Sequence, residues 1–205
     1  MEHRNKPANP AKEVRTFLAD MSVGEEGRTV SGYAAMFGTM SEEMWGFREL
    51  IDPEAFSGTD MSDVRALFNH DPNMLLARTS SGTLSLEVDD RGLKYSFDLP
   101  DTQAGRDLGE LLKRGDVSQS SFGFTIAEDE WQEKYNDSGE VIETTRVIKK
   151  VKRLYDVSPV TYPAYPDTSV ALRSLGAWRE GHQENEKKPA GEPRLGLAEK
   201  MMNLI

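Results

Sequence analysis

The sequence predicts a mainly β domain with flanking helices, an α+β fold built on a twisted antiparallel sheet or barrel. Three observations lead there. Several apolar runs alternate with period two, turn-rich segments such as "GEEGR", "DDRG" and "NDSG" separate them, and only one stretch between the polar ends carries a clear helical period.

Residues 1–13 are polar and broken by prolines, which predicts a flexible N-terminal tail. "VRTFLADMSV" and "TVSGYAAMFG" flank "GEEGR" and predict a hairpin. "FRELI" follows as a short strand, and "DPEAFSG" predicts one or two helical turns with Asp52 as N-cap and Pro53 at the first position. "VRALFNH" is the next strand. A second hairpin joins "TLSLEV" to "LKYSFDL", with Leu84, Leu86 and Val88 alternating along one arm, Leu93, Tyr95, Phe97 and Leu99 along the other, and Gly92 at a left-handed position.

In "DTQAGRDLGELLKRGD" the period changes, since Leu108, Leu111 and Leu112 form a helical stripe that Gly115 stops. Two long strands come next, "VSQSSFGFTIAEDEWQEKY" and "EVIETTRVIKKVKRLYDVSPVTYPA", joined by the "NDSG" turn. The folded domain is therefore expected over 14–175, with a polar C-terminal tail over 176–205. In that tail "LAEKMMNLI" sets Leu197, Met201 and Leu204 roughly on one side of a short helix.

Composition narrows the chemistry. The chain of 205 residues has no cysteine, so disulfides, thiolate nucleophiles and cysteine metal sites are all excluded. A net charge of -10 argues against general nucleic-acid binding, which needs a basic surface. Arg146, Lys149, Lys150, Lys152 and Arg153 do cluster in "RVIKKVKRLYDV", either as a small anion-binding stripe or as the solvated side of a strand. No apolar run approaches the roughly 18 residues needed to span a bilayer, and "MEHRNKPANPAKEV" lacks the apolar core of a signal peptide. A chain that is neither secreted by that route nor membrane-spanning is expected.

The segment "VSQSSFGF" carries the first candidate for catalysis. Strand alternation puts Ser118, Ser120, Phe122, Phe124 and Ile126 on one face, which the apolar residues mark as core. Ser121 falls on the other face beside Gln119 and Gly123, and the missing side chain of Gly123 predicts open space next to its hydroxyl. A serine nucleophile needs a base. Of three histidines, His3 and His182 lie in the expected tails, which leaves His70 of "LFNHDP", at a strand end before a turn containing Pro72. The structural alternative is a histidine simply hydrogen-bonded at a turn. One such histidine and no cysteine leave too few good ligands for zinc, so neither metal nor cofactor is expected.

The third member of a triad would hold the far nitrogen of the imidazole ring. Asp156 is preferred because it shares strand parity with Leu154 and Val160 on a partly apolar face, where a carboxylate requires a partner. Pairing of Asp156 with Arg153 or Lys152 is the alternative, and Asp71 adjoins His70 too closely in sequence to orient it well.

Five segments in order, "GYAAMFG", "IDPEAF", "ALFNHDP", "SFGF" and "DVSPVTYPAYPDTSV", together resemble the prohead serine proteases of tailed bacteriophages over residues 28–173. The resemblance implies Ser121 as nucleophile, His70 as general base and Asp156 at a position where the family usually carries Glu or Asp. It also implies a barrel of the herpesvirus assembly-protease type. Those enzymes use a second histidine as the third member, and this chain has none in the matched region. The expected function is a serine endopeptidase that cleaves the scaffolding segment of the major capsid protein, and itself, in the assembling prohead within the host cytoplasm. The expected partners are the capsid protein and a second copy of the chain, as self-cleavage target or dimer mate. A non-catalytic capsid scaffold of the same fold is the rival reading, and a barrel that binds nucleic acid through the basic run is a weaker one. Self-cleavage is expected within 176–199, and the oxyanion donors are sought around Ser158–Thr161.

Overall fold

A computed structural model describes residues 12–18, 21–24, 28–44, 46–162 and a helix over 169–187. The chain divides into two units at Val170/Ala171. In the first unit the described strands form two sheets. One is six-stranded and comprises β1 (Glu13–Leu18), β4 (Arg48–Ile51), β5 (Arg65–Phe68), β6 (Asp71–Arg78), β9 (Gln119–Tyr135) and β10 (Val141–Val160). The other is four-stranded, from β2 (Ser22–Val23), β3 (Thr29–Met36), β7 (Leu84–Val88) and β8 (Gly92–Asp98).

The predicted mainly β, α+β class holds, but two features differ from a simple antiparallel barrel. The larger sheet runs β1-β9-β10-β5-β6 with β4 also on β10, and both β4 and β5 lie parallel to β10. Such pairings need long crossover connections, so no local hairpin signal announces them. The first predicted hairpin also divides: β2 pairs with β3, whereas β1 joins β9 in the other sheet.

The core fills the space between the sheets. Phe122, Phe124, Leu154 and Val157 from the larger sheet and Val30, Leu93, Tyr95 and Phe97 from the smaller belong to one buried cluster, with Leu108 of α1 (Gln103–Arg114) in it. The helix begins where the Thr102 hydroxyl caps the Gly105 amide and stops at Gly115. In the β7–β8 hairpin Gly92 is required by contact rather than by turn type, because a Cβ there would lie 2.0 Å from the Ala35 carbonyl oxygen.

The segment 53–58 is a run of turns, not the predicted helix. Ala55, Ser57 and Thr59 amides bond three residues back, and the Ala55 carbonyl accepts from the Val151 amide at 2.8 Å. That bond to β10 holds the segment against the sheet and takes a carbonyl that helix propagation would use.

The helix α2 (Ser169–Lys187) begins two residues before this division, and the rest of it is the described part of the second unit. The expected domain boundary at 175/176 therefore falls inside a helix. Of the tail expected over 1–13, Glu13 opens β1 and residues 1–11 lie outside the described residues, as does the short helix expected over 197–205. No helix among the described residues is long and apolar enough to cross a membrane.

Most of the basic run is the solvated side of a strand, with Lys150 and Lys152 exposed and Lys149 and Arg153 partly so, but Arg146 is not. Arg146 is buried at 2% exposure and bonds Glu13, Glu49 and Asp129, Lys149 bonds Asp52, and Arg153 pairs with Asp60 at 3.6 Å. Of these cations only Arg146 is spent inside the fold; the Lys149 and Arg153 pairs lie at the surface.

Candidate active site

The site is built where β9, β10, β1 and the β5–β6 turn meet. β9 and β10 are antiparallel, with Ser121 opposite Ser158 and Gly123 opposite Asp156. These four residues share one face, away from the Phe122 and Phe124 core.

Asp156 reaches that face through an irregularity. Leu154 pairs with Phe124 and Asp156 with Gly123, so β10 spends one extra residue, Tyr155, at this point. Leu154 and Val157 both belong to the core cluster although they are three apart. Simple alternation would have sent Asp156 inward with Leu154, so the bulge turns the carboxylate toward Ser121. Contrary to the parity prediction, Asp156 therefore does not share a face with Leu154, and it reaches His70 through the bulge.

His70 is placed by a tight turn. Phe68 pairs with Asp71, which leaves Asn69 and His70 as a two-residue loop with φ of 56° and 58°. Positive φ at both positions is the conformation that matches the twist of a hairpin, and Asn and His are among the non-glycine residues that tolerate it. The turn is Asn69–His70 itself, not a later one at Pro72, which lies in edge strand β6. It is anchored to the end of β10: the Asn69 amide donates to the Pro159 carbonyl at 3.0 Å, and Asn69 Oδ1 accepts from the Thr161 amide at 2.9 Å. An imidazole held on a tethered, left-handed turn has little freedom to swing.

The structure brings the three candidate residues together. Ser121 Oγ lies 2.6 Å from His70 Nε2, and His70 Nδ1 bonds Asp156 Oδ1. Asp156 is 2% exposed, and the His70 side chain is 17% exposed. Burial pushes the Asp156 carboxyl up, and the bond and charge of His70 with those of Lys12 more than reverse this, leaving it below the ordinary carboxylate value. An ionised Asp156 makes Nδ1 the protonated nitrogen, and Nε2 is then the acceptor for the Ser121 hydroxyl. The Arg15 carbonyl is a second acceptor for that hydroxyl at 2.9 Å. Ser121 has no exposed surface, so in this conformation its hydroxyl is covered, and an external molecule reaches it only after a covering element shifts.

Sequence reasoning missed three contributors. Ser158 Oγ bonds Asp156 Oδ1 at 3.1 Å and stands 3.3 Å from His70 Nδ1. Its signal was available, since it lies two residues from Asp156 and so shares its face. Lys12 Nζ bonds Asp156 Oδ2 at 2.6 Å, although residues 1–13 had the composition of a tail. Arg15 offers a backbone carbonyl, which no side-chain pattern reveals.

Gly123 also has a different role from the expected one. The space beside it is filled, because a Cβ there would lie 2.4 Å from Lys12 Cε and 2.5 Å from Asp156 Oδ2. Gly123→Ala is thus expected to push the carboxylate off the imidazole and cut the maximal rate about 100-fold with the fold retained, as displacements near 1 Å do. Steady-state kinetics with circular dichroism as the fold control measures it. Of the region where oxyanion donors were sought, Pro159 has no amide hydrogen and the Thr161 amide is taken by Asn69.

A serine hydroxyl on an imidazole that is itself held by a buried carboxylate has the connectivity of the serine hydrolases. The sequence comparisons agree with that class. The family model described as caudovirus prohead serine protease matches residues 16–181, and the chain belongs to that family. The prohead protease of Enterobacteria phage HK97 is 27% identical over 152 residues, which make up 72% of this chain and 60% of the phage protein. The chain thus spans less than two thirds of that relative's length. No solved structure matches the chain significantly.

Proposed function

We propose that the chain is a serine endopeptidase of phage capsid maturation, with Ser121 as nucleophile, His70 as general base and acid, and Asp156 as the group that orients and charge-stabilises the imidazole. The observation that carries this reading is the continuous series from Ser121 Oγ through His70 to Asp156 in a member of the prohead protease family. In acylation the Ser121 proton passes to Nε2 as Oγ bonds the carbonyl carbon of the scissile peptide. His70 then gives that proton to the leaving amine as the C–N bond breaks. In deacylation a water loses a proton to Nε2, its oxygen bonds the acyl carbon, and Ser121 recovers the proton as the ester bond breaks.

The substrates on this reading are the scaffolding segment of the major capsid protein and the chain's own C-terminal part, in the assembling prohead within the host cytoplasm. Family membership and the name of the HK97 relative support this. A protease cleft takes extended peptide. Within the expected self-cleavage region 176–199, residues up to Lys187 are helical and must unwind first. The herpesvirus assembly-protease type of barrel and a dimeric working form belong to the same proposal.

A fluorophosphonate probe tests the chemistry without knowledge of the cleavage sequence. The expected result is one phosphonate adduct, mapped by peptide mass to Ser121, absent in His70→Ala. Labelling of other serines while Ser121 stays free would overturn the reading.

A further inference from the structure

The proposed triad accounts for only one oxygen of Asp156. Its Oδ1 receives the His70 Nδ1 hydrogen and the Ser158 hydroxyl. Its Oδ2 receives the ammonium of Lys12 at 2.6 Å, from the residue just before β1. The carboxylate is almost wholly buried, and a buried charge left with an unmet oxygen is costly and free to turn or take up a proton. Gly123 lies under the Lys12 stem, where any Cβ would block the path. The Lys12 side chain is 43% exposed, so it is partly open to solvent while its ammonium reaches a buried group.

Resting on the serine protease reading above, the geometry points to Lys12 as a positioning residue of the proposed reaction: it fixes the Asp156 carboxylate so that Oδ1 stays aligned with His70 Nδ1. Lys12 hydrogen-bonds neither Ser121 nor His70, and it acts through Asp156. A charge-assisted bond of this kind is short and directional, which suits it to fix a carboxylate plane. Its loss lowers the rate of the chemical step and leaves ground-state binding nearly unchanged.

The absence of cysteine from the chain gives a clean test. Lys12→Cys introduces a single thiol, which aminoethylation converts to an ammonium on a side chain of lysine length and iodoacetamide converts to a neutral amide. The readouts are the maximal rate and half-saturation of Ser121 phosphonylation, the low-field proton resonance of His70 Nδ1–H, and the melting temperature. The expected result is a maximal rate about 10- to 100-fold lower in Lys12→Cys and in the amide form. Half-saturation stays close to wild type, and the melting temperature falls modestly in the two neutral forms because the Asp156 charge loses a partner. The proton resonance broadens or moves, and the aminoethylated form regains rate, resonance and melting temperature. Equal rates and an unmoved resonance in all three forms would overturn the inference, as would a loss of rate and melting temperature with the resonance unmoved. The resonance is observable whether or not the protein is active. A wild type that fails to label therefore counts against the protease reading, while the resonance still decides the role of Lys12.

Discussion

Asp156→Asn is expected to lower the maximal rate of peptide hydrolysis by about 10^4-fold, with substrate affinity and fold retained. The amide is the same size as the carboxylate, so it fits the space beside Gly123 and against His70. Its chemistry differs at one point. A carboxylate accepts from Nδ1 and leaves Nε2 free to take the Ser121 proton, whereas the amide can present N–H to Nδ1 and drive the hydrogen to Nε2. A ring protonated on Nε2 cannot act as base toward the oxygen 2.6 Å away. The amide also cannot balance the imidazolium that forms during acylation. Steady-state kinetics of the pure variant checks this; a loss under about 10-fold would mean that Asp156 is structural.

Arg146→Met is expected to cost about 3–5 kcal/mol of folding stability, the usual penalty for breaking a buried ion pair from one side. Arg146 and Arg15 are buried together with Glu13 and Glu49. Arg146 bonds Glu13 and Glu49 at 2.9 Å, and Arg15 bonds Glu13 at 2.6 Å and Glu49 at 2.8 Å. Asp129 adds a further bond to Arg146 at 2.7 Å. Without Arg146, two buried carboxylates share one guanidinium and Asp129 loses this bond. Met restores apolar volume but no donor. Urea denaturation should show a lower midpoint with an unchanged slope. Arg153→Met breaks an ion pair whose members are both more than 40% exposed, and it should leave the midpoint nearly in place. Equal effects from the two substitutions would contradict the account of the buried cluster.

The cluster matters to the site because two of its members stand on β1. That strand also supplies the Arg15 carbonyl to Ser121, with Lys12 just before it. Charges 133 residues apart, Glu13 and Arg146, thereby hold the edge strand that borders the proposed nucleophile.

What the sequence shows and hides follows from how local each signal is. The β7–β8 hairpin, the Leu108 stripe of α1 and the Asn136–Glu140 turn between β9 and β10 each depend on neighbours, and each was legible. Alternation along β9 also separated Ser121 from the Phe122 and Phe124 core, because that stretch carries no bulge. Alternation failed at Tyr155, where one extra residue reverses the face of everything beyond it and no residue type marks the place. The surface reading of the basic run failed at Arg146 because Glu13 and Glu49, its partners, come from strands far away in sequence. Lys12 was hidden by composition: a polar, proline-broken stretch reads as tail even when its last residues join a sheet.

The most direct test of the central claim is the intact mass of a capsid precursor after co-assembly with the wild-type chain or with Ser121→Ala. The account predicts that the wild type trims the precursor at discrete positions and that Ser121→Ala leaves it whole. Trimming by both chains, or by neither under assembly conditions, would contradict the assignment of Ser121 as the nucleophile of a capsid-maturation protease.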